Sequence, residues 1–163
     1  MIYYTSDTHF HHVNILTYCD RPFLNVEMMN EVLIERWNRV VKPEDTIYHL
    51  GDFSMGVKEN IPAILERLNG YKILIRGNHD RSAEYMKQSG FNEVHEKMFL
   101  NTEYGMMFLA HIPTPNGHWA ETAKYHLCGH VHDLWIKKES MINVGTDVWD
   151  FTPRTIAELM EDK

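Results

Sequence analysis

The spacing of hydrophobic and polar positions changes repeatedly along the chain. Residues 1–6 (MIYYTS) form a short run of β-favouring side chains that reads as a buried strand, and it stops at Asp7. Residues 26–40 switch to helical spacing. Val26, Met29, Leu33, Trp37 and Val40 recur on one face, while Glu27, Glu31, Glu35 and Arg39 fall elsewhere. Asn25 stands where an N-cap belongs. TIYHL at 46–50 predicts a second strand that runs into Gly51-Asp52, and 59–69 a helix that tolerates Pro62 in its first turn. YKILI at 71–75 predicts a third strand, ending in Arg76-Gly77-Asn78-His79-Asp80, and a short helix is expected from Ser82 to about Gln88. Beyond this point the strand period dominates. Strands are expected at 93–100, 105–110, 125–128, 133–137 and 140–144, with a short helix after Pro153.

Alternating β and α segments followed by consecutive strands predict an α/β fold, a sandwich of mixed β-sheets flanked by helices. The 163 residues hold no internal repeat or linker and imply one domain over 1–163. Five of the expected strands share one property: their carboxyl ends run into polar residues, at Asp7, Asp52, Asn78, His111 and His130. In α/β sheets that edge is where ligands bind.

Composition narrows the chemistry. The formal charge of −7 argues against a general grip on nucleic acid, which needs a basic footprint. Cations held by some of the carboxylates would reverse that sign locally. The two cysteines, Cys19 and Cys128, form no CxxC pair, which removes zinc-finger and thioredoxin-like readings and suits a reduced, cytoplasmic compartment. No apolar stretch is long enough to span a membrane, and the start MIYYTSDTHF lacks the basic and apolar regions of a signal peptide. Eleven histidines are an unusual number, so their positions matter.

Five segments collect five of them with carboxylates and an amide: Asp7-Thr8-His9, Gly51-Asp52, Gly77-Asn78-His79-Asp80, Ala110-His111, and Gly129-His130-Val131-His132. Hard oxygens mixed with imidazoles suit first-row divalent metals such as Mn²⁺, Fe²⁺, Zn²⁺ or Ni²⁺. In extended backbone residues i and i+2 share a face, so Asp-x-His and His-x-His can each chelate one ion or straddle two. The glycines ahead of Asp52, Asn78 and His130 permit tight turns and close backbone approach.

In this order and with these neighbours, the five segments resemble the calcineurin-like metallophosphoesterase superfamily, marked by D-x-H, G-D, G-N-H-[DE], a lone H and G-H-x-H. Arg21-Pro22-Phe23, His49-Leu50-Gly51-Asp52-Phe53 and Ile142-Asn143-Val144-Gly145 add a likeness to its small, capless bacterial and phage members. The resemblance implies two divalent ions, manganese first with iron, zinc or nickel as alternatives. It implies that Asp7, His9 and His132 hold one ion, that Asn78, His111 and His130 hold the other, and that Asp52 bridges them. It further implies a hydroxide between the ions as nucleophile, and His79 facing the substrate as general acid with Asp80 orienting its ring. His11-His12 stands where relatives often carry Gly-His, which touches the substrate mouth rather than the metal ligands.

Other residues carry open readings. Arg21 and Arg81 could clamp a phosphate or form surface ion pairs; His12 and Asn14 could line the pocket or act behind it. His118 and Trp119 could stack a base or pack back onto the protein. His49 and Cys128 read as buried, and the methionine pairs at 28–29 and 106–107 as core filler. The expected function is hydrolysis of phosphomonoesters or phosphodiesters, of small nucleotide-type substrates first. The alternatives are a nuclease, a phosphoprotein phosphatase or, last, a non-catalytic binding protein. No membrane partner is expected, nucleic acid is not favoured, and the sequence does not set an oligomeric state.

Overall fold

Strand alternation decides which of two cores each side chain enters, and the architecture follows from that choice. A computed structural model describes residues 1–161. The first sheet contains β1 (Ile2–Thr5), β2 (Thr46–His49), β3 (Tyr71–Ile75) and β4 (Glu93–His95), and orders as β10-β1-β2-β3-β4, where β10 (Arg154–Thr155) is the antiparallel edge. β1 to β4 run parallel. The connections are α1 (Ile15–Tyr18), α2 (Val26–Val40), α3 (Asn60–Arg67) and α4 (Ala83–Ser89). The second sheet orders as β5-β6-β7-β9-β8, from β5 (Lys97–Thr102), β6 (Gly105–Ala110), β7 (Tyr125–Cys128), β8 (Lys137–Lys138) and β9 (Met141–Asn143). α5 (Ile156–Met160) closes the described chain with a capping box between Thr155 and Glu158.

Tyr3, Ile47 and Leu74 point to one face of the first sheet, where Met29, Leu33 and Trp37 of α2 and Ile61 and Leu65 of α3 cover them. Their strand neighbours Tyr4, Tyr48, Ile73 and Ile75 point the other way and meet Met107, Leu109, Leu127 and Ile142 of the second sheet. A smaller cluster of Phe108, Trp119, Cys128 and Met141 lies on the outer face of that sheet. α2 keeps the bounds its periodicity predicts, and the Asn25 side chain accepts from the backbone N–H of Met28. Among the described residues no helix is long and apolar enough to cross a membrane.

Two expectations need correction, and one element was not expected. The run at 93–100 is not one strand. Glu93–His95 pairs with β3 in the first sheet and Lys97–Thr102 with β6 in the second, so the chain changes sheets at Glu96. The expected strand at 133–137 is mostly loop, because buried Asn143 donates its amide to the carbonyls of His132 and Trp135 at 2.8 Å and takes groups a ladder would have used. The short helix α1 carries no apolar repeat long enough to have been read.

Candidate metal centre

Every ligand segment is a turn at the carboxyl end of a strand, and two sheets bring these turns to one edge. β1, β2 and β3 deliver Asp7 with His9, Asp52 and Asn78; β6 and β7 deliver His111 and His130 with His132. Backbone bonds weld the turns together: Asp7 N–H donates to Gly51 O at 2.9 Å, His9 N–H to Asp52 O at 3.1 Å, and Gly129 N–H to His111 O at 2.9 Å. Two glycines are sterically required. A Cβ at Gly77 would stand 2.3 Å from Asp52 Oδ1, and one at Gly129 would stand 2.4 Å from Asp7 Oδ2.

The side chains do not converge by the extended-strand geometry expected of Asp-x-His and His-x-His. Asp7, His9, Asp52, His130 and His132 all have positive φ, between 48° and 70°. Such backbone is uncommon for non-glycine residues and is held here by the surrounding hydrogen bonds. The turns sort the ligands into two groups. Asp7, His9 and His132 form one and Asp52, His111 and His130 the other, and within each group the ligand atoms lie within 4.8 Å of one another. Asp-x-His therefore serves one group, while His-x-His straddles both. Asp52 stands between the groups: its Oδ2 lies 3.3 Å from His111 Nε2 and 3.6 Å from His9 Nε2.

The donor set fits two divalent cations. His9 Nε2 and His111 Nε2 are buried with no hydrogen-bond partner, which is costly for a polar atom unless a ligand takes it up. His111 Nδ1 donates to Leu50 O at 2.7 Å, so its tautomer leaves Nε2 as a lone pair aimed at the cluster. His132 is set the same way, with Nδ1 3.1 Å from Asp147 Oδ2. Asp7 is fully buried, with Ser6 Oγ donating at 2.5 Å and the His130 N–H at 3.0 Å. Burial pushes the Asp7 carboxyl up from its ordinary value, against the histidines that favour its charged form. Burial also pulls His9 down to about 2. Burial opposes ionisation of Asp52 too, but in the metal-free protein the His111 ring, when protonated at Nε2, overrides it and holds that carboxyl below the usual range. At His132 burial opposes protonation, and the Asp147 carboxylate overrides it, raising the ring to about 10. The positive charge these carboxylates seek is what metal ions would supply.

Two expected roles change. Arg21 is no substrate clamp. Its side chain is buried, and its guanidinium donates to Asp147 (2.7 and 2.9 Å), to Thr8 O and to Asp7 O. It braces the backbone of Asp7 and the carboxylate that orients His132. Asp80 does not orient the His79 ring. Its carboxylate accepts the N–H groups of Asp52, Phe53 and Gly77 at 2.8 to 2.9 Å and ties the Gly-Asp turn to the Gly-Asn-His-Asp turn, while burial pushes it up to about 6. Asp147 was invisible as a candidate because it follows Gly145-Thr146 with no histidine beside it. Cys19 also comes within 4.8 Å of His132 and Asp147. Asp147 is already engaged by Arg21 and braces this corner rather than offering a free ligand.

Asn78, His79, Arg81 and Asn14 are exposed, and His12 is half-buried with Nδ1 3.2 Å from His9 Nδ1. His79 lines a cavity of about 520 Å³ with His9, His12, His130 and His132. Asn78 and His111 line a separate cavity of about 820 Å³. His49 is buried, 2.9 Å from Thr8 Oγ1, and Trp119 packs inward with its indole N–H on Thr114 O.

Residues 1–159 match the calcineurin-like phosphoesterase superfamily domain. The chain belongs to the calcineurin-like phosphoesterase superfamily. The phosphoesterase domain it carries is of a metal-dependent kind that hydrolyses phosphoric esters. The chain is 48% identical over 93 residues to an uncharacterised protein of Methanocaldococcus jannaschii, a match that takes in 56% of this chain and 53% of that protein. It thus spans about half the length of that relative. It is 27% identical to the gene 66 protein of Mycobacterium phage D29, covering 99% of this chain and 96% of that one. A crystal structure of a protein of unknown function from Aquifex aeolicus is similar throughout, with a TM-score of 0.79 and 28% identity over 98% of this chain and 97% of that one. The sandwich of two mixed sheets is thus the fold of the family and of this neighbour.

Proposed function

We propose that the protein is a dinuclear metal-dependent hydrolase of small phosphate esters, with nucleotide-type compounds as the first substrate class. The observation that carries this reading is the pair of facing ligand groups, each with a buried, unpartnered imidazole Nε2, and a single carboxylate oxygen of Asp52 between them. When bound, two divalent ions would neutralise the phosphate and make water a nucleophile near neutral pH. The chain does the rest. Asp7, His9 and His132 hold one ion, while His111, His130 and the Asn78 amide oxygen hold the other. Leu50 O and Asp147 fix the rings of His111 and His132 so that Nε2 faces inward. His79, exposed beside the cluster, donates a proton to the departing oxygen, with His12 in the same cavity. Arg81 and Asn14, both exposed, are the remaining candidates for contacting the substrate. Manganese is the first choice of ion, with iron, zinc and nickel next.

Metal content by mass spectrometry, together with a Mn²⁺-supplemented screen of paired mono- and diesters, tests the reading. Two ions per chain and complete loss of hydrolysis in excess chelator are expected. Unchanged hydrolysis in chelator, or one ion at saturation, would overturn it.

A further inference from the structure

The larger cavity has no role in the reading above. It lies on the outer face of the second sheet, and its floor is Phe108 and Ala110 of β6. Its walls are Phe99 of β5 and Ile112, two large apolar side chains left 44% and 48% exposed. Phe99 and Phe108 are cross-strand partners with rings 5.2 Å apart, so the floor and one wall form a continuous aromatic surface. At its inner end the cavity reaches Asn78 and His111, two proposed ligands of the same ion. Its volume of about 820 Å³ is that of a site for a small organic group.

The two cavities share no lining residue, yet they meet the cluster through neighbours. His79 belongs to one and Asn78 to the other; His130 belongs to one and His111, with its ring centroid 5.2 Å away, to the other. A phosphorus over the cluster would therefore have room on two flanks. The leaving oxygen belongs on the flank with the proton donor His79. A monoester would leave the second flank unused, whereas a diester has a second organic substituent to put there.

We infer that the groove of Phe99, Phe108, Ala110 and Ile112 binds the non-leaving substituent of a phosphodiester, and that this substituent is a planar aromatic group such as a nucleobase or aryl ring. The inference rests on the phosphoesterase reading. The groove is lined mainly by apolar and aromatic side chains, with the donors of Arg76, Asn78, Lys97, Thr114 and His118 around them, and that apolar surface suits a ring face better than a sugar or a charged chain. Its rim carries Lys97 and the Arg76–Glu96 ion pair, of mixed sign, so it is no track for a polyanion.

Two diesters with one leaving group isolate the groove: phenyl p-nitrophenyl phosphate and methyl p-nitrophenyl phosphate. Both are monoanions, and each kcat/KM is divided by the ester's own alkaline hydrolysis rate. With Mn²⁺-loaded protein the corrected ratio of phenyl to methyl should be about tenfold or more, the worth of burying a ring. Phe99→Ala and Ile112→Ala, both at exposed walls, should each lower that ratio about threefold or more. Calorimetry gives a readout apart from turnover: methyl phenyl phosphate should bind more tightly than dimethyl phosphate, with a more negative heat-capacity change. A ratio near one, equal losses on both esters in the variants, or equal binding of methyl phenyl phosphate and dimethyl phosphate would overturn the groove while leaving the phosphoesterase intact. Hydrolysis of monoesters but of neither diester would do the same. No hydrolysis of any ester would remove both readings together.

Discussion

The two ligand groups solve the same problem with different materials. Around Asp7, His9 and His132 the support is ionic and long-range: Arg21 and Asp147, 126 residues apart, form a buried pair that holds the Asp7 backbone on one side and the His132 ring on the other. Around Asp52, Asn78, His111 and His130 the support is mostly backbone, with one carboxylate. Leu50 O sets His111, the His79 N–H donates to Asp52, and the Asp80 carboxylate ties the two turns, while Asn78 and His130 stay exposed. The first group is thus buried and dependent on distant charges. The second is the more exposed, through Asn78 and His130. The ionic network can be disabled by one substitution far from the metals, whereas in the second group only the Asp80 carboxylate can be mutated away and the Leu50 carbonyl cannot.

The largest effect should come where the two groups meet. Asp52→Asn removes charge from both, so hydrolysis should fall by more than the ~10–100-fold typical of losing a supporting group. Bound metal should drop below two per chain. Near-normal rates at full metal content would show that the groups are not coupled through this residue. His79→Ala touches neither group. It should keep both ions and cost about 10²–10⁴-fold on an alkyl phosphate, whose leaving group needs the proton. A nitrophenyl ester should suffer much less, and equal losses on the two substrates would remove the acid role.

Asp147→Asn separates the halves. Affinity for one ion should weaken about 10–100-fold while the other stays, seen as a split in a metal titration that is otherwise less resolved. Parallel weakening of both ions would erase the contrast drawn above. The smallest effect is in pH. In the metal-free protein Asp147 holds His132 protonated up to about 10, so below that pH an ion must displace the proton on Nε2. Metal binding to this group should tighten as pH rises from 6 towards 9, by at most about tenfold per unit, and release a proton. Asp147→Asn should flatten that slope. A slope that is flat in the unaltered protein would contradict the assigned protonation.

The ligand segments were legible because each is a short polar interruption of an apolar strand, and the helix at 26–40 because fifteen residues keep one period. The supporting residues were not. Arg21 reads as a surface cation until the fold buries it, and Asp147 is an ordinary acidic loop residue until His132 arrives beside it. Asp80 looked like a partner for its neighbour His79, yet three backbone N–H groups compete for it and win. The division at Glu96 was hidden because nothing local interrupts the β pattern. Two sheets compete for one stretch of chain, and the outcome depends on β3 and β6 rather than on residues 93–100 themselves.

The ligands come from both halves of a sandwich: Asp7, His9, Asp52 and Asn78 from the edge of one sheet, His111, His130 and His132 from the edge of the other. Neither sheet alone can complete either group. The geometry of the centre is therefore set by how Tyr4, Tyr48 and Ile75 seat against Leu109, Leu127 and Ile142. Those apolar residues act as the shims of an instrument. Changing one resets the gap between two opposed jaws without altering anything the jaws are made of, so reactivity in this scaffold can be retuned by selection acting on residues that never meet a metal or a substrate.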